Sequence, residues 1–487
     1  MATGIPNSGI TPPQTTGAVA LTYPGKRPVD EILKTIPARP ELIPQPNASA
    51  EFIAANHLYY GENLGVLAHL RENPAVRGQI RLIYIDPPYA TRSVFHSRKL
   101  ASAYDDLLAG PAYLEFLRER LIFLHELLAE DGSIYVHLDE NMAFHAKVLM
   151  DEVFGAGNFR NWITRKKCNP KNYTRKTYGN VTDYILFYTK SDNYVWHRAV
   201  DAWTDERALR EYTNVEPDTG RRFKKVPIHA PGARNGATGQ PWRGMNPPPG
   251  KHWQYLPTTL DEMDARGEIY WSPTGNPRRK IYLDASAGVP VQDIWTEFRD
   301  AHNQNIHITG YPTEKNPALL ERIINASSNP GDLVLDCFAG SGTTLEVANR
   351  LGRRWIGVDN SPESLRTILR RFSHGVAPMG DFVTTPSEPT AQAGLSLFPE
   401  DTPEETNANK VSHNPIANFT LHATPEMDPT GFESCYNKTP ASATTSESNA
   451  FVSAAHRDTL DSRWADYKSG KAQVISSTEL KRRLAAK

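Results

Sequence analysis

The sequence predicts an α/β protein built on an open, largely parallel sheet. Three stretches carry that prediction. Leu82-Ile83-Tyr84-Ile85 is an apolar run of strand length, and Asp86-Pro87-Pro88-Tyr89 stops it, since neither proline can donate a ladder hydrogen bond. Leu114, Leu117, Leu121, Leu124 and Leu128 recur at spacings of three and four, which describes an amphipathic helix, and Ser133 to Leu138 follows as a strand. Far downstream, Leu333 to Asp336 reads as a strand, Ala339-Gly340-Ser341-Gly342 as a tight loop, Thr343 to Leu351 as a helix, and Trp355 to Asp359 as the next strand.

Composition narrows the class. The chain has 487 residues and a formal net charge of −1, enough material for two or three domains. No window approaches the ~18 apolar residues of a membrane span, and no basic segment precedes an apolar one at the N-terminus, so a cytoplasmic protein is expected. Cys168, Cys337 and Cys435 are isolated thiols that point to neither a disulfide framework nor a zinc site.

In chain order, residues 1–50 read as a disordered arm, with Pro, Thr, Gly and Ala dominating 1–25 and one short helix, Val29 to Ile36. His57 to Tyr60 reads as a strand, then a polar turn, with Asn63 a candidate cap for a helix over Leu64 to Leu70. Asp86 falls at the carboxyl end of its strand, where open α/β sheets place ligands. His137 ends another strand and has no nucleophile to serve, so a structural role is expected. Asp183 to Tyr188 is a further strand.

Charge shifts between 159 and 300, where about 23 Lys or Arg face about 16 Asp or Glu. Basic clusters recur at Arg165-Lys166-Lys167, Lys171 to Lys176, Arg221-Arg222-Phe223-Lys224-Lys225 and Arg278-Arg279-Lys280. Trp162, Tyr173, Trp196, Trp203, Trp242, Trp253 and Trp271 interleave them. Cations neutralise phosphates and aromatic faces stack on bases, so a nucleic-acid surface competes here with a solvated basic surface over buried tryptophans.

Gly310-Tyr311-Pro312-Thr313-Glu314-Lys315-Asn316-Pro317 opens a helix over Ala318 to Ser327, and a lysine beside a helix N-terminus suits a carboxylate ligand. In the loop after Asp336, Gly340 and Gly342 let a ligand approach the backbone, but Leu345 stands where the third glycine of a dinucleotide fingerprint belongs. No Gly-Lys-Ser/Thr triplet occurs, which removes a P-loop. Asp359 is placed to accept both hydroxyls of a ribose, and Cys337 reads as buried and inert. Residues 376–450 read as a linker. Beyond them, Leu460, Trp464 and Tyr467 share a helical face, and Ser476 with Glu479 forms a capping box for a second helix.

Asp86-Pro87-Pro88-Tyr89 and Asp336 to Thr344 together resemble the DPPY and FxGSGTT motifs of the DNA amino-methyltransferases, over roughly residues 55–372. The resemblance implies a Rossmann-like S-adenosylmethionine-dependent methyltransferase fold. Because the catalytic motif precedes the cofactor loop by about 250 residues, the order resembles the permuted β-class. Ribosomal-RNA enzymes with similar motifs usually carry the cofactor loop first, so DNA is the expected substrate.

The domains implied are an arm over 1–50, a first catalytic half over 51–190, a target-recognition region over 191–300, a second catalytic half over 301–375, a linker over 376–450 and a small helical tail over 451–487. Asp86, Pro87, Pro88 and Tyr89 would hold the base amine. Asp336, Phe338, Gly340, Gly342, Thr343 and Asp359 would bind S-adenosyl-L-methionine, with Glu62 and Asn63 at its adenine end and Thr313 and Lys315 at its methionine end. The usual Gln and Pro beside the last two are Glu314 and Asn316 here. Tyr184 is the expected aromatic partner of the target base. The DNA contacts expected are Arg165, Lys166, Lys167, Arg221, Arg222, Lys224, Lys225, Arg278, Arg279 and Lys280.

Asp at the first motif position favours adenine N6; family members acting on cytosine N4 more often carry Ser there. The competing readings are a cytosine-N4 enzyme, a non-catalytic DNA-binding regulator on the same fold, and an oxidoreductase that leaves the proline-tyrosine motif unexplained. Expected partners are double-stranded DNA, a second copy in a homodimer, and a restriction or toxin–antitoxin-like partner through the tail, which weakly resembles the helical component of addiction modules. The motifs and the basic middle all lie upstream of residue 400, so the chain beyond about residue 400 reads as dispensable for methyl transfer.

Overall fold

The computed structural model describes residues 19–43, 56–88, 110–169, 176–300 and 314–378, with short stretches at 95–96, 102–104, 307–309, 311, 415–416, 418–430 and 432. All lie within Met1–Tyr436. The two helices expected beyond residue 450, Cys435, Thr313, Tyr89 and Tyr173 lie outside the described residues.

A ten-stranded sheet forms the centre. Its strand order is Glu41–Ile43, Thr420–Ala423, His57–Tyr60, Arg354–Asp359, Leu333–Asp336, Ile80–Ile85, Leu128–Leu138, Thr182–Thr189, Phe159–Lys166 and Ile294–Trp295. From Thr420–Ala423 to Leu128–Leu138 every pairing is parallel. The fold class is therefore mixed α/β around a mainly parallel core.

Side-chain alternation splits the apolar residues between two layers. Ile83 and Ile85 face the helices Asn63–Glu72, Pro111–Leu127 and Ala143–Phe154. Leu82 and Tyr84 face Pro317–Ser327, Thr343–Arg350 and Pro362–His374. Burial on both faces explains why the central strands read as continuous apolar runs.

Three expectations are corrected. Within the N-terminal arm, Leu21, Tyr23 and Arg27 are tied to the two helices beneath them: the Leu21 N–H donates to Glu152, and the Tyr23 hydroxyl and Arg27 N–H donate to Glu115. Only Val29–Ile32 of the expected short helix is helical. Within the expected linker, Thr420–Ala423 is an inner strand of the sheet, and Phe419, Leu421, Ala423 and Phe432 are buried in the core.

The middle of the chain builds a four-stranded antiparallel sheet from Asn214–Val215, Arg222–Pro227, Pro277–Tyr282 and Ile269–Trp271. It has its own core of Ile228, Trp242, Trp253, Leu260, Met263 and Ile269, with Trp271 packed against it. Three of the tryptophans expected to interleave a basic surface are thus core residues. Among the described residues, no helix is long and apolar enough to cross a membrane.

Candidate active site

The two motifs that lie far apart in sequence leave neighbouring strands. Leu333–Asp336 pairs in parallel with Ile80–Ile85, Leu335 opposite Ile83, so Asp86 and the glycine loop open on one edge of the sheet. Arg354–Asp359 is the next strand over, and the Ala339 N–H donates to the Val358 carbonyl at 3.1 Å. That edge is where parallel sheets hold ligands.

Gly340 and Gly342 adopt φ of +53° and +73°, which side chains rarely accept. A Cβ at Gly342 would fall 2.9 Å from Ile368 Cγ1. Asp359 Oδ2 accepts the Gly340 N–H at 2.8 Å, and its Oδ1 accepts the Ser361 N–H at 2.9 Å. Each carboxylate oxygen retains a second lone pair for a hydroxyl donor. Ser364 Oγ donates to the Gly340 carbonyl at 2.6 Å, locking the loop to the helix after Asp359.

Burial pushes the Asp336 carboxyl up to about 7, with hydrogen bonds from Thr344 and Phe338 opposing it and the charges of Asp86 and Asp359 adding to it. Burial raises Asp359 as well, against its backbone donors. Burial drives the Cys337 thiol far up, consistent with an inert thiol. Thr343 is buried and held by Ser341 Oγ at 2.9 Å and Arg371 at 2.8 Å, so its hydroxyl braces the loop. Phe338 is half-buried, its ring 6.0 Å from that of Phe116.

The stretch before Pro317 crosses from this loop to Asp86. A Cβ on Gly340 would meet the Tyr311 ring at 3.5 Å. Glu314 is buried, pairs with Arg371 and accepts from Thr309 N and Oγ1. Asn316 caps the Pro317–Ser327 helix, its Oδ1 accepting the Ala318 N–H at 3.0 Å, and its Nδ2 donates to the Arg299 carbonyl. Both departures from the family stretch are thus anchoring residues. Between them, Lys315 Nζ reaches Asp86 Oδ2 at 2.6 Å.

Glu62, rather than Asn63, caps the Asn63–Glu72 helix. Both side chains are engaged by Arg120, which pairs with Glu62 and donates to Asn63 Oδ1 at 2.6 Å. Asn63 Nδ2 then donates to the Cys337 carbonyl at 2.9 Å. Arg120 therefore fixes the turn beneath the cofactor loop. Sequence reasoning missed it because it sits inside a helix whose leucines alone were periodic.

A buried polar line runs beside Asp86. Tyr84 Oη lies 2.8 Å from His137 Nδ1, His137 Nε2 lies 3.0 Å from Asp183 Oδ2, and Arg165 Nε donates to Asp183 Oδ1 at 2.9 Å. Against the upward push of burial, His137, Arg165 and Lys315 hold Asp183 well below the usual carboxylate range. Burial lowers His137, opposed by Asp183 and assisted by Lys315.

Tyr184 points the other way. It packs against Trp162, ring centroids 5.3 Å apart, on the sheet face covered by Pro111–Leu127 and Ala143–Phe154. Asp183, not Tyr184, shares the side of the sheet on which Lys315 meets Asp86, so the structure does not bring Tyr184 to the catalytic motif.

Of the expected DNA contacts, Arg165 is corrected: it is 0 % exposed and spent on Asp183 and Asp300. Lys166, its neighbour on the strand, is half-buried on the opposite face, and Lys167 lies 3.8 Å from Glu140. Arg221 pairs with Asp284, Lys224 with Glu211 and Lys280 with Glu216, while Arg279 donates to Tyr255 Oη. Lys225 lies opposite Lys280 in register with its ammonium 3.6 Å over the Tyr270 ring, and Arg278 is exposed across from Pro227. Lys225, Lys280 and Arg278 share one face of the small sheet with Phe223, Tyr270 and Tyr282. Arg222 lies on the opposite face, across from Val215.

Among the described residues, the site thus groups the carboxylates of Asp86, Asp336 and Asp359 around a glycine loop, with the Lys315 ammonium between loop and catalytic motif. Such a set fits a nucleoside cofactor that carries ribose hydroxyls, a cationic centre and a carboxylate. Comparison with known proteins adds a family. The model described as DNA methylase, of the N6/N4 methyltransferases, matches residues 80–370. The Type II methyltransferase M.EcaI of Enterobacter cloacae is 48% identical over 381 residues, 78% of this chain and 83% of that protein. The DNA adenine methyltransferase YhdJ of Escherichia coli (strain K12) is 28% identical over 312 residues, 63% of this chain and 80% of that one. Among solved structures, the M1.HpyAVI–SAM complex is 16% identical with a TM-score of 0.36, covering 65% of this chain and 98% of that one.

Proposed function

The chain belongs to the N6/N4 DNA methylases, and from that premise we propose that it transfers a methyl group from S-adenosylmethionine to the N6 amine of adenine at a specific site in double-stranded DNA. The observation that carries the reading is the adjacency of Asp86 and the Gly340-Ser341-Gly342 loop on one sheet edge. Adenine is favoured by Asp at the first motif position and by the named activity of the YhdJ relative. The enzyme acts in the cytoplasm, where its DNA substrate is.

S-adenosylmethionine supplies an electrophilic methyl on a sulfonium. Asp359 would accept its ribose hydroxyls, the glycine loop would give its backbone close approach, and Lys315, beside the N-terminus of the Pro317–Ser327 helix, would meet its carboxylate. The protein must make an exocyclic amine nucleophilic although its lone pair is delocalised into the ring. Asp86 accepts one amine hydrogen and the Pro87 carbonyl accepts the other, which favours the tetrahedral nitrogen that attacks. Lys315 holds one oxygen of Asp86 and so helps to orient that carboxylate. The base leaves the duplex to reach this edge, and Tyr89 offers it a stacking face. Lys225 and Arg278, beside Tyr270 and Tyr282, form the surface we assign to the phosphate backbone.

Incubation with methyl-labelled S-adenosylmethionine and mixed-sequence DNA tests the reading. Label recovered as N6-methyladenine supports it. Binding of DNA without label transfer would instead indicate a regulator, and reduction or oxidation of a nicotinamide would indicate an oxidoreductase.

A further inference from the structure

The strand that completes the sheet ends beside the donor site. Thr420–Ala423 runs parallel to His57–Tyr60 with Ala423 opposite Tyr60, and Tyr60 is in turn opposite Asp359. All three strands deliver their carboxyl ends to the edge that carries Asp86 and the glycine loop. Immediately after the strand, the Thr424 N–H donates to the Tyr60 carbonyl at 3.0 Å. Gly61 lies so close that a Cβ there would fall 2.5 Å from Thr424 Cγ2, and its own N–H donates to the Asp359 carbonyl at 3.0 Å.

The segment then returns over Tyr60. Phe432 is 3 % exposed and meets the Tyr60 ring edge-to-face, centroids 5.6 Å apart. The Arg366 guanidinium lies 5.4 Å from the Phe432 ring. Arg366 belongs to the helix that follows Asp359 and whose Ser364 holds the Gly340 carbonyl. Phe432 therefore bridges the two elements that flank Asp359, the Tyr60-Gly61 turn and the Pro362–His374 helix.

We propose that Thr424 and Phe432 are part of the donor site: they clamp the Tyr60-Gly61 turn and the helix after Asp359, and so position Asp359 for the nucleoside end of the donor. The proposal rests on the methyltransferase reading. In it Phe432 and Thr424 are positioning residues that act through Asp359 and the glycine loop, and the nucleoside half of the donor senses them more than the methionine half.

Calorimetric titration of the full chain with S-adenosylhomocysteine and with adenosine tests this. Phe432→Ala is expected to weaken both ligands by a common factor of roughly tenfold, and Phe432→Tyr to restore affinity to within about twofold. Leu421→Ala, in the same core but in the body of the strand, is expected to lower the melting temperature and leave both affinities within about twofold. If Phe432→Ala does not fold, Phe432→Leu decides: it keeps apolar bulk but removes the ring that meets Tyr60 and Arg366, with roughly threefold weaker binding of both ligands expected and parent-like binding of both overturning the clamp. A folded Phe432→Ala within about twofold of the parent, weakening of S-adenosylhomocysteine but not adenosine, or an equal loss in Leu421→Ala would overturn the clamp while leaving the functional reading intact. A parent chain that binds neither ligand would overturn the functional reading and the clamp with it.

Discussion

Lys315 Nζ lies 2.6 Å from Asp86 Oδ2, with the two side chains 11 % and 15 % exposed. The ammonium comes from the start of a helix on the cofactor side, and the carboxylate from the motif that meets the base. One ion pair therefore joins the two halves of the reaction. Lys315→Met is expected to lower the rate of methyl transfer by on the order of tenfold or more, because it removes the ammonium that holds Asp86 Oδ2 in a largely buried ion pair. Single-turnover kinetics at saturating donor checks this. A rate within twofold of the parent would mean that the pair is incidental to transfer.

Gly342→Val should both destabilise the fold and weaken donor binding. The residue sits at φ +73°, and its new Cβ would press on Ile368, 2.9 Å away. The strain at such a position costs about 1–2 kcal/mol before any clash is counted. Thermal unfolding and titration with S-adenosylmethionine check the two parts. Unchanged affinity in a folded variant would place the donor elsewhere.

Ending the chain before residue 415 is expected to destroy the folded catalytic unit, whereas ending it at 436 is expected to preserve it. The shorter chain loses Phe419, Leu421 and Phe432 from the core and exposes the hydrogen-bonding edge of His57–Tyr60. Limited proteolysis and thermal melting of the two truncations check this. A cooperative melt for the shorter chain, at the parent's temperature, would show the last strand to be dispensable.

The central strands were legible because burial on both faces leaves near-continuous apolar runs, and because prolines and glycines mark where they stop. Thr420-Leu421-His422-Ala423 was not: it mixes polar and apolar residues, and the strand it pairs with lies more than 350 residues earlier in the chain. Arg165 was misread because a strand sends successive residues to opposite faces. In the Arg165-Lys166 pair the first turns into the core and the second to the opposite, half-buried face, a distinction that a count of charges cannot make. The same alternation separates Asp183 from Tyr184. Lys315 stood out as a cation for a carboxylate ligand, but its contact with Asp86 depends on the pairing of two distant strands, which no local pattern reveals.

Acid should loosen the sheet at its C-terminal strand. Burial pushes the His422 imidazole down to about 4, with His57 and His69 adding to the effect, and His422 stacks on Tyr59 at 4.7 Å. A histidine depressed in the fold contributes stability that is complete above its ordinary value near 6.5 and is lost as pH falls towards about 4. His422→Phe keeps the stacking and removes the titration. Urea unfolding at pH 7 and pH 4.5 should show the parent losing on the order of 1–3 kcal/mol more than the variant. Equal losses would remove His422 from the acid response.

The claim that Asp86 activates the N6 amine of adenine is tested most directly by the nucleosides of host DNA. The parent and Asp86→Ala are expressed in a methylation-free host, the DNA is digested, and the nucleosides are separated by mass. N6-methyladenine is predicted with the parent and is predicted to be absent with Asp86→Ala, while the variant still binds S-adenosylmethionine in titration. N4-methylcytosine without N6-methyladenine would contradict the choice of base, and N6-methyladenine from Asp86→Ala at a level near the parent's would contradict the role of Asp86.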